Sequence, residues 1–373
     1  MKKLIVILLS FCFAAPVFAE EIGSGAKSVY LTEASSGETL YENNADEKLP
    51  IASVTKIMTM LLVMEAVDNG KISLDDLVPV SERAMSMGGS TMFLETGEHL
   101  PVSEMLKGIA VASANDGAVA MAEFVAGSES SFVDMMNERA KQLGMENTHF
   151  VNTNGLDDDN HYSTARDVAK MSRELLKHEK IFEYTTIWTD TMRDGKFELA
   201  NTNKLIRFYN GANGLKTGST SKAMCCISAT AKRDNMQLIA VVLGAPTSKD
   251  RFAAARELLD FGFANYKVEM LAQKGEEVTR IPVLKGKREE IGLITVDNCG
   301  ALMKKGESGE IERNINIPEY ICAPVGDGDI IGSVEFLTGG KVIKSCELAA
   351  SGEVQKKNYF DFLKDALRKW ISC

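Results

Sequence analysis

Residues 53–68 constrain the fold most, because this stretch reads as a helix with apolar side chains on every side. Val54, Ile57, Met58, Met60, Leu61, Leu62, Val63 and Met64 leave no polar stripe for water, so the helix has to be enclosed by other elements. Such enclosure needs a large domain. With 373 residues the chain exceeds what one core usually holds, which predicts a large domain followed by a smaller one.

The flanking pattern fills in the larger unit. Alternating runs at 27–33 and 38–43 surround Ala34-Ser35-Ser36-Gly37 and predict a hairpin. Helices are expected at 103–111, 116–125, 130–143 and 164–178, with a Gly/Asp/Asn-rich surface loop at 152–161. Residues 214–243 turn β-branched and apolar around the polar turn Lys232-Arg233-Asp234-Asn235, which predicts antiparallel sheet. Ser248 is then expected to cap a helix through 250–263, and the domain closes near Tyr266. Beyond it, short β runs at 277–283, 291–296, 330–336 and 341–347 are broken by Gly and Asp, the pattern of a small all-β domain. The fold class is α/β (α+β): antiparallel sheet flanked by helices, then a β domain and a terminal helix.

The two ends read differently from the middle. Lys2 and Lys3 precede an apolar run at 4–14, and Val17-Phe18-Ala19 supplies small residues for cleavage, so residues 1–19 are expected to be a signal peptide. The run falls short of the ~20 residues that a bilayer span needs. At the other end, residues 354–372 place Tyr359, Phe360, Phe362, Leu363 and Trp370 on one helical face and Lys357, Lys364, Arg368 and Lys369 opposite. That composition suits a helix lying in a membrane surface, with docking on the β domain as the alternative. The expected organisation is therefore 1–19 signal, 20–266 main domain, 267–351 β domain and 352–373 amphipathic anchor.

A formal charge of −10 disfavours nucleic acid as a partner. Cys12 leaves with the signal, and the spacing of the other six cysteines sets no disulfide framework and no zinc pattern. Cys225 and Cys226 are adjacent and read as buried free thiols. No metal or cofactor is called for.

Chemistry is suggested by three short motifs. Lys56 lies three residues after Ser53, on the same helical face, and burial there pushes its pKa down toward a form able to take a proton from the hydroxyl. The pattern is cheap by itself, since Ser219-x-x-Lys222 also matches. Ser113-Ala114-Asn115 sets a hydroxyl and an amide in a break between apolar helices, where polar groups need partners or a ligand; alone, a capped turn explains it. Lys216-Thr217-Gly218 offers a cation, a hydroxyl and bare backbone at the mouth of the sheet. Such a strand can bind an extended peptide edge-on and hold its carboxylate, or merely blunt the sheet edge with a lysine. The four histidines lack H-E-x-x-H spacing, and no G-x-S-x-G elbow exists.

In this order, separated by about sixty and about one hundred residues, the motifs form the signature of penicillin-recognising serine enzymes. Residues 49–59 (LPIASVTKIMT), 111–116 (VASAND), 147–167 (with GLDDDNHYSTARD) and 214–219 (GLKTGS) resemble the low-molecular-mass penicillin-binding proteins of the D-alanyl-D-alanine carboxypeptidase family. The resemblance runs nearly end to end over residues 20–373. It implies a serine peptidase that removes the terminal D-alanine of peptidoglycan pentapeptide stems and is acylated by β-lactams. By the same resemblance, Ser53 is the nucleophile, Lys56 its base, and Ser113 with Asn115 relay protons and orient the substrate amide. The oxyanion hole would be the N–H groups of Ser53 and Ser219. Lys216 and Thr217 would bind the substrate carboxylate, beside Gly218, with Arg251 as a further cation. Some family members carry histidine where this chain has Ser219. The implied location is the outer face of the cytoplasmic membrane, held by the terminal helix. A β-lactamase, an endopeptidase and a non-catalytic wall-binding scaffold are the competing readings.

Overall fold

The computed structural model describes residues 22–306 and 309–371. The signal-peptide expectation, Cys12 and Cys373 lie outside the described residues.

The larger unit is organised by a five-stranded antiparallel sheet in the order Thr39–Asn43, Ser28–Glu33, Met236–Ala245, Met224–Arg233, Ala212–Thr220. Its central strand is buried on both faces, which explains a continuous apolar run instead of alternation. Ile239, Val241 and Leu243 belong to the core containing the Lys56–Asp68 helix, whereas Leu238, Ala240 and Val242 pack with Ala255, Leu258 and Leu259 of the Ser248–Asn265 helix. The period of two thus assigns alternate side chains to two cores. The Lys56–Asp68 helix is enclosed as its composition requires: Ile57, Met58, Met60, Leu61, Val63 and Met64 are all fully buried. Truncating Ile57, Met58, Met60, Leu61 or Met64 to alanine costs roughly 2–5 kcal/mol.

Several boundaries differ from the sequence reading, each for a local reason. The helix expected from residue 53 begins as a 3-10 turn, Ala52–Thr55, and becomes α-helical only at Lys56. The one expected at 103–111 is α-helical over Val102–Lys107, then widens into a π turn at Gly108–Ala112, which Ser113 ends with a left-handed φ of 64°. Thr247, not Ser248, caps the last helix of this unit by accepting from Asp250 N; two adjacent hydroxyl residues gave the sequence no way to choose. The loop at 152–161 is not simply a surface loop, because Thr153, Asn154, Gly155 and His161 are buried.

The second unit is a six-stranded sheet accompanied by the pair Tyr266–Ala272 and Cys299–Lys304. Its core gathers Ile281, Leu293, Val334, Phe336 and Leu348. Cys299 and Cys346 form a disulfide that spacing alone did not reveal, while Cys225, Cys226 and Cys322 are free thiols. Residues expected to open the terminal helix instead finish this domain: Val354 is buried and pairs with Val325, and Lys357 N donates to Lys285 O. The helix starts at Tyr359, where Asn358 and Asp361 exchange backbone and side-chain hydrogen bonds in a capping box. Its Tyr359, Phe360, Phe362, Leu363 and Trp370 are exposed, so this face is not docked on the β domain.

Candidate active site

The three motifs converge at one place, between the Ala52–Thr55 turn and the free edge of the sheet. Ser53 is the half-buried residue in an otherwise buried turn, and its N–H precedes the first bond of that turn, from Val54 N to Ile51 O. The helix therefore leaves that donor unspent. The edge strand Ala212–Thr220 passes so close that a Cβ on Gly218 would lie 2.8 Å from Ser53 N and 2.9 Å from Ile51 O. Glycine at this position lets the strand reach the serine.

Lys56 decides what the arrangement can do. Its Nζ is fully buried and lies 2.9 Å from Ser53 Oγ, 2.6 Å from Asn115 Oδ1 and 2.8 Å from the carbonyl oxygen of Asn154. Burial, reinforced by repulsion from Lys216 and partly offset by Asp116, holds its pKa well below the ordinary lysine value. A neutral amine has two protons and one lone pair. The Asn154 carbonyl can only accept, and Asn115 Oδ1 is fixed as the acceptor because Asn115 Nδ2 donates to Gly88 O at 2.6 Å. Both amine protons are thereby committed, and the lone pair is left for the Ser53 hydroxyl proton. The geometry is that of a serine poised beside its base.

Asn115 is itself clamped. Its N–H donates to Ser90 O, and the Asp116 carboxylate accepts from Met92 N, Leu94 N and Gly117 N, fastening the 88–94 loop over the site. Ser113 stands at the same break, buried, with its Oγ making no hydrogen bond to another described residue.

On the strand side, Lys216 is buried and Thr217 Oγ1 donates to Thr202 Oγ1 at 2.7 Å. Burial, with Arg251 adding repulsion, pushes Lys216 down to about 7; an anion arriving beside it would restore its charge. Ser219 is exposed, its Oγ 3.7 Å from Cys225 Sγ. Arg251, which the family likeness makes a further cation for the carboxylate, is buried beside the edge strand, its Nε without a hydrogen-bond partner among the described residues. Its guanidinium donates to Gly218 O, Cys226 O and Ser248 Oγ, as a buried cation must find acceptors. The first of these bonds ties it to the edge strand at Gly218. Sequence reasoning missed Asn154, Asp116 and His161, whose signal was their place in the 147–167 and 111–116 segments, and Thr202, which lies outside every segment that carried the resemblance.

Residues 16–247 match the D-alanyl-D-alanine carboxypeptidase family, and residues 266–356 match the C-terminal domain of penicillin-binding protein 5. The chain belongs to the D-alanyl-D-alanine carboxypeptidase family. It is 44% identical over 381 residues to the D-alanyl-D-alanine carboxypeptidase DacF of Bacillus subtilis, covering 99% of this chain and 98% of that protein. Penicillin-binding protein 5 from Haemophilus influenzae superposes with a TM-score of 0.73 at 32% identity, over 89% of this chain and 98% of that one. The ampicillin-bound penicillin-binding protein D2 of Listeria monocytogenes superposes with a TM-score of 0.59 at 35% identity, over 64% of this chain and 98% of that one. Family membership makes the chain a serine-type peptidase, and the competing reading of a wall-binding scaffold falls away.

Proposed function

We propose that the chain removes the terminal D-alanine of peptidoglycan pentapeptide stems through an acyl-enzyme on Ser53. The observation that carries this is the geometry at Lys56, whose buried Nζ lies 2.9 Å from Ser53 Oγ while Asn115 Oδ1 and Asn154 O can only accept from it, so that in the amine form its lone pair faces the Ser53 hydroxyl. Ser53 Oγ attacks the carbonyl between the two D-alanines as its proton passes to Lys56 Nζ. The resulting oxyanion lies between the N–H groups of Ser53 and Ser219. Lys216 and Thr217 hold the terminal carboxylate, and Asn115 orients the substrate amide. Collapse expels D-alanine, its nitrogen taking up the proton by way of Ser113, which stands beside Asn115. Water then attacks the ester carbonyl, Lys56 takes the water's proton, and Ser53 is regenerated. A β-lactam follows the first half of this path and stays on Ser53.

The protein is placed by this reading at the outer face of the cytoplasmic membrane after loss of residues 1–19. The Cys299–Cys346 disulfide supports an oxidising compartment, and the exposed aromatic face of the terminal helix supports a membrane surface as its partner. The test of the chemistry uses a diacetyl-tripeptide ending in D-Ala-D-Ala. Wild type should release D-alanine and take up labelled penicillin on the peptide containing Ser53, and Ser53→Ala should do neither. Equal release by Ser53→Ala would end the proposal.

A further inference from the structure

We infer that His161 is a positioning residue for the nucleophile, acting through Thr55 and the Ala52 carbonyl on the turn that carries Ser53. The inference rests on the reading of Ser53 as nucleophile, and it concerns a histidine that this chemistry does not otherwise use.

The turn needs holding. Ala52, immediately before Ser53, has a φ of 47°, a left-handed conformation that is strained for an L-residue with a Cβ. Such a conformation persists only where its surroundings enforce it. Here the enforcement is a directed chain of hydrogen bonds. Val151 N donates to His161 Nδ1 at 3.2 Å, so the proton of the neutral ring sits on Nε2. Nε2 lies 2.8 Å from Thr55 Oγ1, which in turn donates to Ala52 O at 2.8 Å. The hydroxyl has one proton, and it is spent on the carbonyl. His161 Nε2–H must therefore be the donor to Thr55, and every group in the chain has a single possible role.

The surroundings fix both ends of this chain. His161 is 3% exposed, and the Phe150 ring packs edge-on against it at 5.6 Å. Burial lowers the imidazole to about 4, which keeps it neutral and preserves the tautomer. Gly155 belongs to the same loop and presses on the same carbonyl: a Cβ there would lie 1.9 Å from Ala52 O, and its φ is 85°. Between Gly155 and His161 the loop thus grips the carbonyl that precedes Ser53, while its Asn154 carbonyl grips Lys56. One loop sets the position of both nucleophile and base.

The experiment compares four single variants for penicillin acylation rate, for kcat and KM on the D-Ala-D-Ala peptide, and for thermal midpoint. His161→Leu removes the donor, whereas His161→Gln offers an amide N–H toward Thr55. Thr55→Val removes the relay and Thr55→Ser retains it. A misplacement of about 1 Å at the nucleophile is worth about a hundredfold in rate. His161→Leu and Thr55→Val should each lower acylation and kcat by about 10- to 100-fold with KM within about twofold, and the double variant should be no slower than the worse single one. Gln and Ser should recover most of the rate. Should His161→Leu fail to fold, the Val/Ser pair at Thr55 carries the same comparison. Wild-type acylation in both folded His161→Leu and Thr55→Val would overturn the inference, as would losses that multiply in the double variant or a Gln variant as slow as Leu. If wild type itself shows no Ser53-dependent acylation, it is the proposed function that has failed.

Discussion

Lys56 is buried, and its partners among the described residues are the neutral groups of Ser53, Asn115 and Asn154, a placement that would be costly for an ammonium and is tolerable for an amine. Acylation needs the amine form, so it should slow as pH falls through the depressed pKa of Lys56 and level off above it. The penicillin-acylation limb should have its midpoint well below the ordinary lysine value of 10.5; a midpoint at that value would show a solvent-like lysine. The same shift has a stability sign. Between the depressed folded value and 10.5, the unfolded chain binds one more proton at this residue than the folded chain does, so this contribution to stability rises with pH across the window. At the residue scale, Ser53, Lys56, Asn115 and Lys216 were legible because their chemistry resides in side-chain type and spacing. Asn154 was not, because it contributes a backbone carbonyl, which any residue possesses. His161 was set aside for lacking metal-ligand spacing, and only the fold brings it under Thr55.

The elements nearest the site are those in which the sequence reading lost its footing. Periodicity located the strands of the main sheet and the enclosed helix, since burial on both faces or on all sides leaves a plain apolar signature. It did not show the 3-10 turn at Ala52–Thr55 or the π turn at Gly108–Ala112; the first of these is held by groups distant in sequence, His161 through Thr55 and Gly155 against Ala52 O. The approach of the edge strand to Ser53 is a tertiary contact of the same kind. It yields a sharp expectation for Gly218→Ala. The added methyl would meet Ser53 N, Ile51 O and Ala52 Cβ at 2.8, 2.9 and 3.0 Å. Two of these are backbone atoms with nowhere to swing. The strand should be displaced, with about a hundredfold slower acylation and a stability loss of about 1–3 kcal/mol. Stopped-flow acylation and thermal unfolding on the same preparation check both; unchanged acylation would mean that the strand and the serine are not in register in the working enzyme.

At the scale of the whole molecule, the chemistry is confined to the first unit and the second one ends in an exposed amphipathic helix. No described helix is long and apolar enough to cross a membrane, and the attachment proposed for Tyr359–Ile371 is interfacial. Where to cut the chain is a structural question. Removing residues from 354 onward would take away Val354, which is 1% exposed in the β-domain core, and the strand-like pairing of Lys356 with Gly286. A chain ending at Asn358 spares both and removes Tyr359–Ile371 with its aromatic face. In co-sedimentation with vesicles containing anionic lipid, the mature full-length protein should pellet and the shortened one should remain in the supernatant. The two should acylate with penicillin at the same rate, because no residue of the Ser53 site lies beyond Arg251. Raising the salt should weaken full-length binding only in part, since the basic residues contribute the screened share and the buried aromatic area the remainder. A shortened protein that still pellets would move the membrane contact to another surface of the molecule.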